Sequence, residues 1–395
     1  MKNAYALAVA TIAAAASNAL AGDFTYSGFI SNGYLHSDEN NYFVDSEDGS
    51  FEFVEAAVNA TWTPIERTSV KGQLFAFELG EYGNYEPLID YLFVDYNVNP
   101  ALGLRVGRVK RSVGLYTDIQ DIDIARTSVL LPVGMYDSRY RDFSASVDGV
   151  SLYGSLSTGA LSSVDYIAYH GAMDFGTEGG FAGAALTSLS RELNNTRLSE
   201  AEVDTNSGLQ LWWNTPLSGL RLGANHNVYS GLAFKADALI PVVNYPITIE
   251  TQADISETRL SAEYYVGDWT LTTEYHIQDV EAESLRSIAG NPLPAELSES
   301  KANSWYVSGA RRFLEKFEGA VTYAAYYDNT DQKDDPLKYQ KDIQFSLRYD
   351  ATDYWTLKAE VHFMDGMSRL FNQLGQNPNP VDDWTLFAAK STFTF

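Results

Sequence analysis

The spacing of the turns limits most strongly what this chain can become. Sixteen stretches alternate apolar and polar side chains: 24–34, 51–62, 67–79, 87–97, 102–111, 146–157, 162–173, 203–215, 219–230, 254–267, 268–280, 303–313, 317–329, 340–350, 354–366 and 384–395. Period-two alternation marks strands with two unlike faces. Seven connections are tight: Thr63-Pro64-Ile65-Glu66, Val98-Asn99-Pro100-Ala101, Thr158-Gly159-Ala160, Thr215-Pro216-Leu217-Ser218, Gly267-Asp268, Leu314-Glu315-Lys316 and Ala351-Thr352-Asp353. Several are built from turn-forming residues. Every other connection except the second is long, from 35–50 to 367–383. Short and long thus alternate along the chain. A soluble sandwich has no need of that asymmetry. An antiparallel barrel crossing between two unlike compartments has it, tight turns on one rim and long loops on the other, and with both termini on the tight rim its strand number is even.

The faces agree with a membrane crossing. In 340–350, Ile343, Phe345, Leu347 and Tyr349 oppose Asp342, Gln344, Ser346 and Arg348. In 354–366, Trp355, Leu357, Ala359, Val361 and Phe363 oppose Thr356, Lys358, Glu360 and His362. In 268–280, Trp269, Leu271, Thr273, Tyr275 and Ile277 oppose Thr270, Thr272, Glu274, His276 and Gln278. The polar set is charged on strand after strand, so it is expected to line water while the apolar set meets lipid. Stretches 87–97 and 162–173 are ambiguous: Tyr91, Leu92, Phe93 and Val94 make both faces apolar, which suits a subunit contact or a packed loop. In hydrocarbon an unpaired backbone group costs several kcal/mol, so the sheet has to close. Sixteen strands enclose a lumen too wide for wall side chains to fill. No segment before Phe24 is left for a plug, so the lumen is expected to be open or narrowed by a loop.

Residues 1–21 read as a secretory signal, with Lys2 as its positive start, an apolar run from Ala4 to Ala16 and Ala19-Leu20-Ala21 as a small-x-small cleavage site. The mature chain would be 22–395, 395 − 21 = 374 residues, of formal charge −25 − 1 = −26 once Lys2 is lost. No later run approaches the ~18 apolar residues of a membrane helix. With no cysteine the chain carries no disulfide, and its 26 tyrosines suit interfacial girdles. The acidic balance argues against nucleic-acid partners, which select basic faces. The five histidines form no His-x-x-x-His pair, and no serine stands in a nucleophile-elbow context. No metal site, cofactor or enzymatic activity is expected. Glu274 with His276 and Glu360 with His362 come nearest to a base with an orienting carboxylate.

The longest connection, 112–145, carries the chemistry. It holds Asp118, Asp121 and Asp123, then Arg126, the apolar run Val129-Leu130-Leu131-Pro132, and Tyr136, Asp137, Arg139 and Arg141. An apolar run among charges suits a loop folded into the lumen, touching the wall and presenting charge to the pore. Arg105, Arg108, Lys110 and Arg111 lead into it; Arg105 and Arg111 share one strand face, Arg108 and Lys110 the other. A charge ring sets ion preference by its local field. The three loop carboxylates on a chain of charge −26 predict a cation preference.

In the last stretch Phe387, Ala389, Ser391, Phe393 and Phe395 fall on one face and Leu386, Ala388, Lys390, Thr392 and Thr394 on the other. This ending resembles the C-terminal signal of bacterial outer-membrane barrels, read by the barrel-assembly machinery, and the resemblance implies Phe387, Phe393 and Phe395 as that signal. Sixteen strands, a long third loop and a terminal Phe look like the trimeric porins of Gram-negative outer membranes. Gly107-Arg108-Val109-Lys110 through Gly114-Leu115-Tyr116, Asp121, Arg126, Leu131-Pro132 and Tyr136, together with the region from Ser304-Trp305-Tyr306 onward, resembles a porin-like group of that membrane. The Pro-Glu-Phe-Gly-Gly loop motif of general-diffusion porins is missing. The resemblance implies a homotrimer in the outer membrane, in contact with its lipid and lipopolysaccharide, that passes small hydrophilic solutes. It also implies a constriction with basic Arg105 and Lys110 on the wall facing Asp118, Asp121, Asp123, Arg126, Arg139 and Arg141. A substrate-specific channel, or a structural or adhesive barrel with a closed lumen, is the alternative. The acidic loops, Asp331 to Asp335 among them, are expected to be solvated; divalent bridging to lipopolysaccharide phosphates is the other option.

Overall fold

The computed structural model describes residues 22–395 apart from 121, 174–175, 178, 191 and 371–376. The expected leader 1–21 and Asp121 therefore lie outside the described residues. The wall is made by β1 (Asp23–Ser37), β2 (Ser50–Ile65), β3 (Thr68–Leu79), β4 (Leu88–Asn99), β5 (Leu102–Lys110), β6 (Ser146–Gly159), β7 (Ser162–Met173) and β8 (Asn194–Asn214). It continues through β9 (Leu220–Leu239), β10 (Pro246–Val266), β11 (Trp269–Ile288), β12 (Glu296–Phe313), β13 (Phe317–Tyr327), β14 (Tyr339–Thr352), β15 (Trp355–Gly366) and β16 (Asp383–Thr394). A two-residue piece, Asn291–Pro292, pairs with the end of β11 at the tip of its hairpin. Each wall strand pairs antiparallel with its sequence neighbours, and β16 returns to β1 from Phe29 opposite Thr394 to Ser37 opposite Leu386. The sheet is a closed sixteen-stranded barrel with no free edge. Phe395 extends the seam by exchanging two backbone hydrogen bonds of 2.9 Å with Gly28. Its ring lies over Gly28, where a Cβ would come within 2.4 Å of it, so this crossing requires a glycine.

The alternating faces are those the sequence predicts. Phe345 is 46% exposed on the outside, whereas Gln344 beside it is 2% exposed on the inside. Trp269, Leu271, Tyr275, Trp355, Phe363, Phe387, Phe393 and Phe395 likewise face outward, and Thr272, Glu274, Lys358, Glu360, His362 and Lys390 face inward. The long-loop rim departs from expectation. The sequence predicts loops at 231–253 and 281–302, but strands β8 to β12 run 18 to 21 residues and fill most of both. About 9–11 residues suffice to cross a bilayer. Beyond that length the apolar face changes sides in β9 and β10: Leu232, Ala236, Ala238, Ile247, Ile249, Ala253 and Ile255 are buried inside, and Asp237, Glu250, Gln252 and Asp254 face out, while backbone pairing continues. Both strands are therefore still marked by alternation there, but no longer by an apolar outer face. Among the described residues no helix is long and apolar enough to cross a membrane, which says nothing of strands.

The barrel interior is partly filled. Leu35, Phe53, Leu386 and Ala388 of the wall pack with Tyr42, Phe43 and Val44, with Val129, Leu130 and Val133, and with Leu370. A second cluster sets Phe93, Val109, Tyr169 and Tyr229 around Phe143, which belongs to a four-residue helix, α1 (Arg141–Ser144). This accounts for the two apolar faces of β4. Leu92 and Val94 point outward, and Phe93 points inward against the packed loop. A helix not foreseen from the sequence, α2 (Gly180–Ser190), seats Ala182 on Leu198 and Ala236 and stacks Phe181 on Phe143 at 4.3 Å.

Candidate functional site

Inward-facing side chains of the later strands grip the backbone and acids of segment 111–145. Glu360 of β15 accepts the N–H groups of Val129 and Leu130, each at 2.7 Å. Its carboxylate is also held by His362 at 3.0 Å and Gln344 at 2.9 Å. Glu274 of β11 accepts the Leu115 N–H at 3.0 Å and the hydroxyls of Tyr136 and Tyr306. Ser304 donates to the Gly134 carbonyl, and Thr127 to Glu318. Hydrogen bonds to a charged acceptor are the stronger kind, so these strands fasten the segment across the inside of the barrel.

Asp123 is the firmest anchor. Its carboxylate lies 2.9 Å from Lys390, 3.1 Å from Arg126 and 3.3 Å from Lys358, and accepts the Thr392 hydroxyl at 2.6 Å. Burial alone would raise this carboxyl; the three cations outweigh it and hold it well below the usual carboxylate range. Lys390 also pairs with Glu55. Arg139 is buried against Asp137 at 2.7 Å, an acid it shares with Arg369, and lies over the Phe43 ring. Arg141 is buried against Asp90 at 2.7 Å and caps the Phe75 ring at 3.7 Å.

The sequence candidates thus divide. Asp123, Arg126, Arg139 and Arg141 are enclosed in ion pairs. Arg105, Lys110 and Asp118 stand more openly. The Arg105 side chain is 23% exposed, over the Tyr153 ring and 3.7 Å from Asp95, with Lys71 2.9 Å from the same acid and 36% exposed. The Lys110 ammonium sits 3.4 Å from the Asp118 carbonyl and 5.0 Å from the Tyr91 ring. Asp118 is open to the lumen and accepts the Ser112 hydroxyl at 3.0 Å. Enclosure by the surrounding barrel raises its carboxyl above the ordinary range, against the charge of Lys110, the Ser112 bond and the charge of Arg105, which lower it. Strand parity puts Arg108 outside, where it clamps Asp148 with two 2.8 Å hydrogen bonds. Lys110 shares that parity, but the chain leaves the wall at this point and the side chain follows it.

Sequence reasoning did not single out Lys358, Lys390, Glu55 or Arg259. Their inward parity beside other charged residues was the available signal. What they grip is set by a loop path that carries no periodicity. The crossing segment separates two cavities. One of about 310 Å³ lies toward the long-loop rim, between Arg111, Tyr229, Arg259 and Arg369. One of about 300 Å³ lies toward the tight-turn rim, between Tyr116, Arg126, Arg221, Glu318 and Arg348. Among the described residues no His, Cys, Asp and Glu cluster could hold a metal ion.

No protein-family model matches the chain, and no curated protein matches its sequence. Solved structures do match its fold. Outer-membrane-expressed OmpT of Vibrio cholerae aligns over 95% of this chain and 98% of its own, with 13% identity and a TM-score of 0.56. The same Vibrio protein is described in a trimer form. The anion-selective porin of Comamonas acidovorans aligns over 94% of this chain and 99% of its own, with 12% identity and a TM-score of 0.54. Salmonella typhi OmpF, in a complex with daunomycin, aligns over 95% of this chain and 98% of its own, with 11% identity and a TM-score of 0.56. The fold is that of the sixteen-stranded porin barrels.

Proposed function

We propose that the chain is an outer-membrane porin, a water-filled channel through which small hydrophilic solutes and ions diffuse passively. One observation carries this reading: a closed barrel, apolar outside, keeps charged Arg105, Lys71 and Asp118 open to its interior beside a segment tied across the lumen. Such a wall has no use in a sheet packed around a dry core. The fold shared with porins supports the location, and the trimer form of the Vibrio protein supports a homotrimer. His362, the better candidate for a catalytic base, is clamped between Asp342 at 2.8 Å and Glu360 at 3.0 Å, which favours a channel over an enzyme.

The water path runs between the exposed stretch around Asp118 and the β3–β6 wall that carries Lys71 and Arg105. The cation preference expected from the sequence rested on three loop carboxylates. Asp123 is neutralised by three cations, Asp121 lies outside the described residues, and Asp118 is met by Lys110 and Arg105. Charges of the outer loops are screened within roughly 8 Å at physiological salt. The local basic surplus therefore sets a weak anion preference. The reading is tested by reconstituting the purified protein into planar bilayers. Discrete, stable conductance steps are expected, and a correctly folded protein that leaves the bilayer sealed would overturn it.

A further inference from the structure

We propose that the cavity on the long-loop side of the crossing segment binds a small organic monocarboxylate with a flat apolar body, an inference that rests on the channel reading and names the solute class it favours. The cavity holds about 310 Å³. Two guanidinium groups that line it, Arg111 at 2% exposure and Arg259 at 5%, have no carboxylate oxygen within 4.0 Å among the described residues. The other buried arginines of the crossing segment are paired: Arg126 with Asp123, Arg139 with Asp137 and Arg141 with Asp90. Arg111 and Arg259 each lie instead over a tyrosine ring, Arg111 over Tyr229 and Arg259 over Tyr136, both 4.9 Å from the centroid, and a buried cation with no carboxylate in direct contact favours an anion from outside.

Their hydrogen bonding points the same way. Arg111 spends its terminal nitrogens on the Phe143 carbonyl at 2.8 Å and the Tyr229 hydroxyl. Arg259 spends its own on the carbonyls of Val113, at 2.9 Å, and Met135, at 3.5 Å. The Nε–H of each is left without a partner. Because Arg259 holds the carbonyl two residues beyond Arg111, both groups flank one stretch of chain. A carboxylate has two oxygens and can accept one N–H from each side. The acid that acts on both is Glu257, which also lines the cavity and is held by Gln278 at 3.0 Å and by the Tyr229 hydroxyl at 3.3 Å. Glu257 acts on both guanidiniums and Glu274 on Arg259, yet neither carboxylate touches them, so a single carboxylate from outside is the most charge the cavity takes. The body of the ligand is set by the stack of Tyr229, Phe143 and Phe181, with rings 4.8 and 4.3 Å apart and tilted by 8° and 11°. Arg111 lies over the Tyr229 end of that stack, so a flat apolar group meets it from the Phe181 side, and Leu370 on the cavity wall adds a further apolar surface.

The test uses the full-length protein and benzoate as probe, against benzamide, which has the shape without the charge, and inorganic phosphate, which has charge without the flat body. Binding is titrated calorimetrically in detergent, and current block is measured in bilayers. Benzoate should bind saturably, with benzamide and phosphate weaker by about tenfold or more. Arg259→Gln should weaken benzoate by a similar factor, and Glu257→Gln, which removes the competing carboxylate, should tighten it. The second variant decides the matter if the first does not fold. Benzoate binding no tighter than benzamide or phosphate, or unchanged in Glu257→Gln, would overturn the site. Steady conductance that benzoate leaves untouched sinks this inference and spares the channel. Benzoate binding in detergent with sealed bilayers does the reverse.

Discussion

Asp123 was legible as a charged loop residue, but its role was not, because its partners Lys358 and Lys390 lie more than two hundred residues away on two different strands. The parity of those lysines placed them on the inner face; only the loop path brings the acid to them. The arrangement predicts a large effect from a small change. Asp123→Asn leaves Lys358 and Lys390 buried with one fewer counter-charge, and breaking one partner of a buried pair costs about 3–5 kcal/mol. The folded carboxyl is depressed, so its stabilisation is fully present above the ordinary carboxylate pKa of about 4 and fades as pH falls through the lower folded value. The wild-type advantage over Asp123→Asn in heat- or urea-induced unfolding should therefore be complete at neutral pH and shrink only in strong acid. Loosening of the segment should also raise single-channel conductance. A variant as stable as wild type at neutral pH, with unchanged conductance, would show that the cluster does not hold the segment.

At the scale of elements, strands with strong alternation and their tight turns could be read directly, because an apolar face against a charged one repeats every second residue in β11, β14, β15 and β16. The upper halves of β9 and β10 could not, since their alternation runs the other way, with Leu232, Ala236, Ile247 and Ile249 inward and Asp237, Glu250, Gln252 and Asp254 outward, which is not the pattern of a lipid-facing wall. Helix α2 was missed for a related reason: its run of Gly, Ala, Leu and Ser has no sharp apolar stripe and is positioned by Leu198 and Ala236. The face assignment makes its own prediction on adjacent residues of β12. Val307 is 54% exposed on the outside, and Ser308 lines the inner cavity, its hydroxyl paired with Thr322 at 2.7 Å. Val307→Arg should destabilise the barrel in bilayers by roughly 2–4 kcal/mol if it sits near the midplane. Ser308→Arg should cost less and lower conductance instead. Refolding titrations into lipid vesicles give the ranking, and the opposite order would mean that the wall is inside out.

For the whole molecule, net charge was a poor guide to what the lumen presents. The acids that make the chain strongly negative sit largely in the outer ribbons and loops, at Glu281, Glu283, Glu296 and Glu299 among others, while the groups open toward the crossing segment are Lys71, Arg105 and Lys110 against Asp118 and the Asp95 that Lys71 and Arg105 share. In a narrow passage the effective dielectric falls below that of water, and a unit charge at about 4 Å is worth a few kcal/mol rather than about one. A wild-type channel in a KCl gradient should accordingly give a reversal potential of anion-selective sign. Acid should strengthen it. Because the Asp118 carboxyl is raised, it takes up its proton while the pH is still above the ordinary carboxylate range of about 4, and each proton bound there removes an exposed negative charge facing Lys110 and Arg105. Asp118→Asn should show the strengthened selectivity already at neutral pH and lose the early part of the pH response, while the later part, due to ordinary outer-loop carboxylates, persists. Arg105→Gln should move the potential the other way. A cation-selective wild type, or a pH response identical in wild type and Asp118→Asn, would refute the assignment of selectivity to this pair of surfaces.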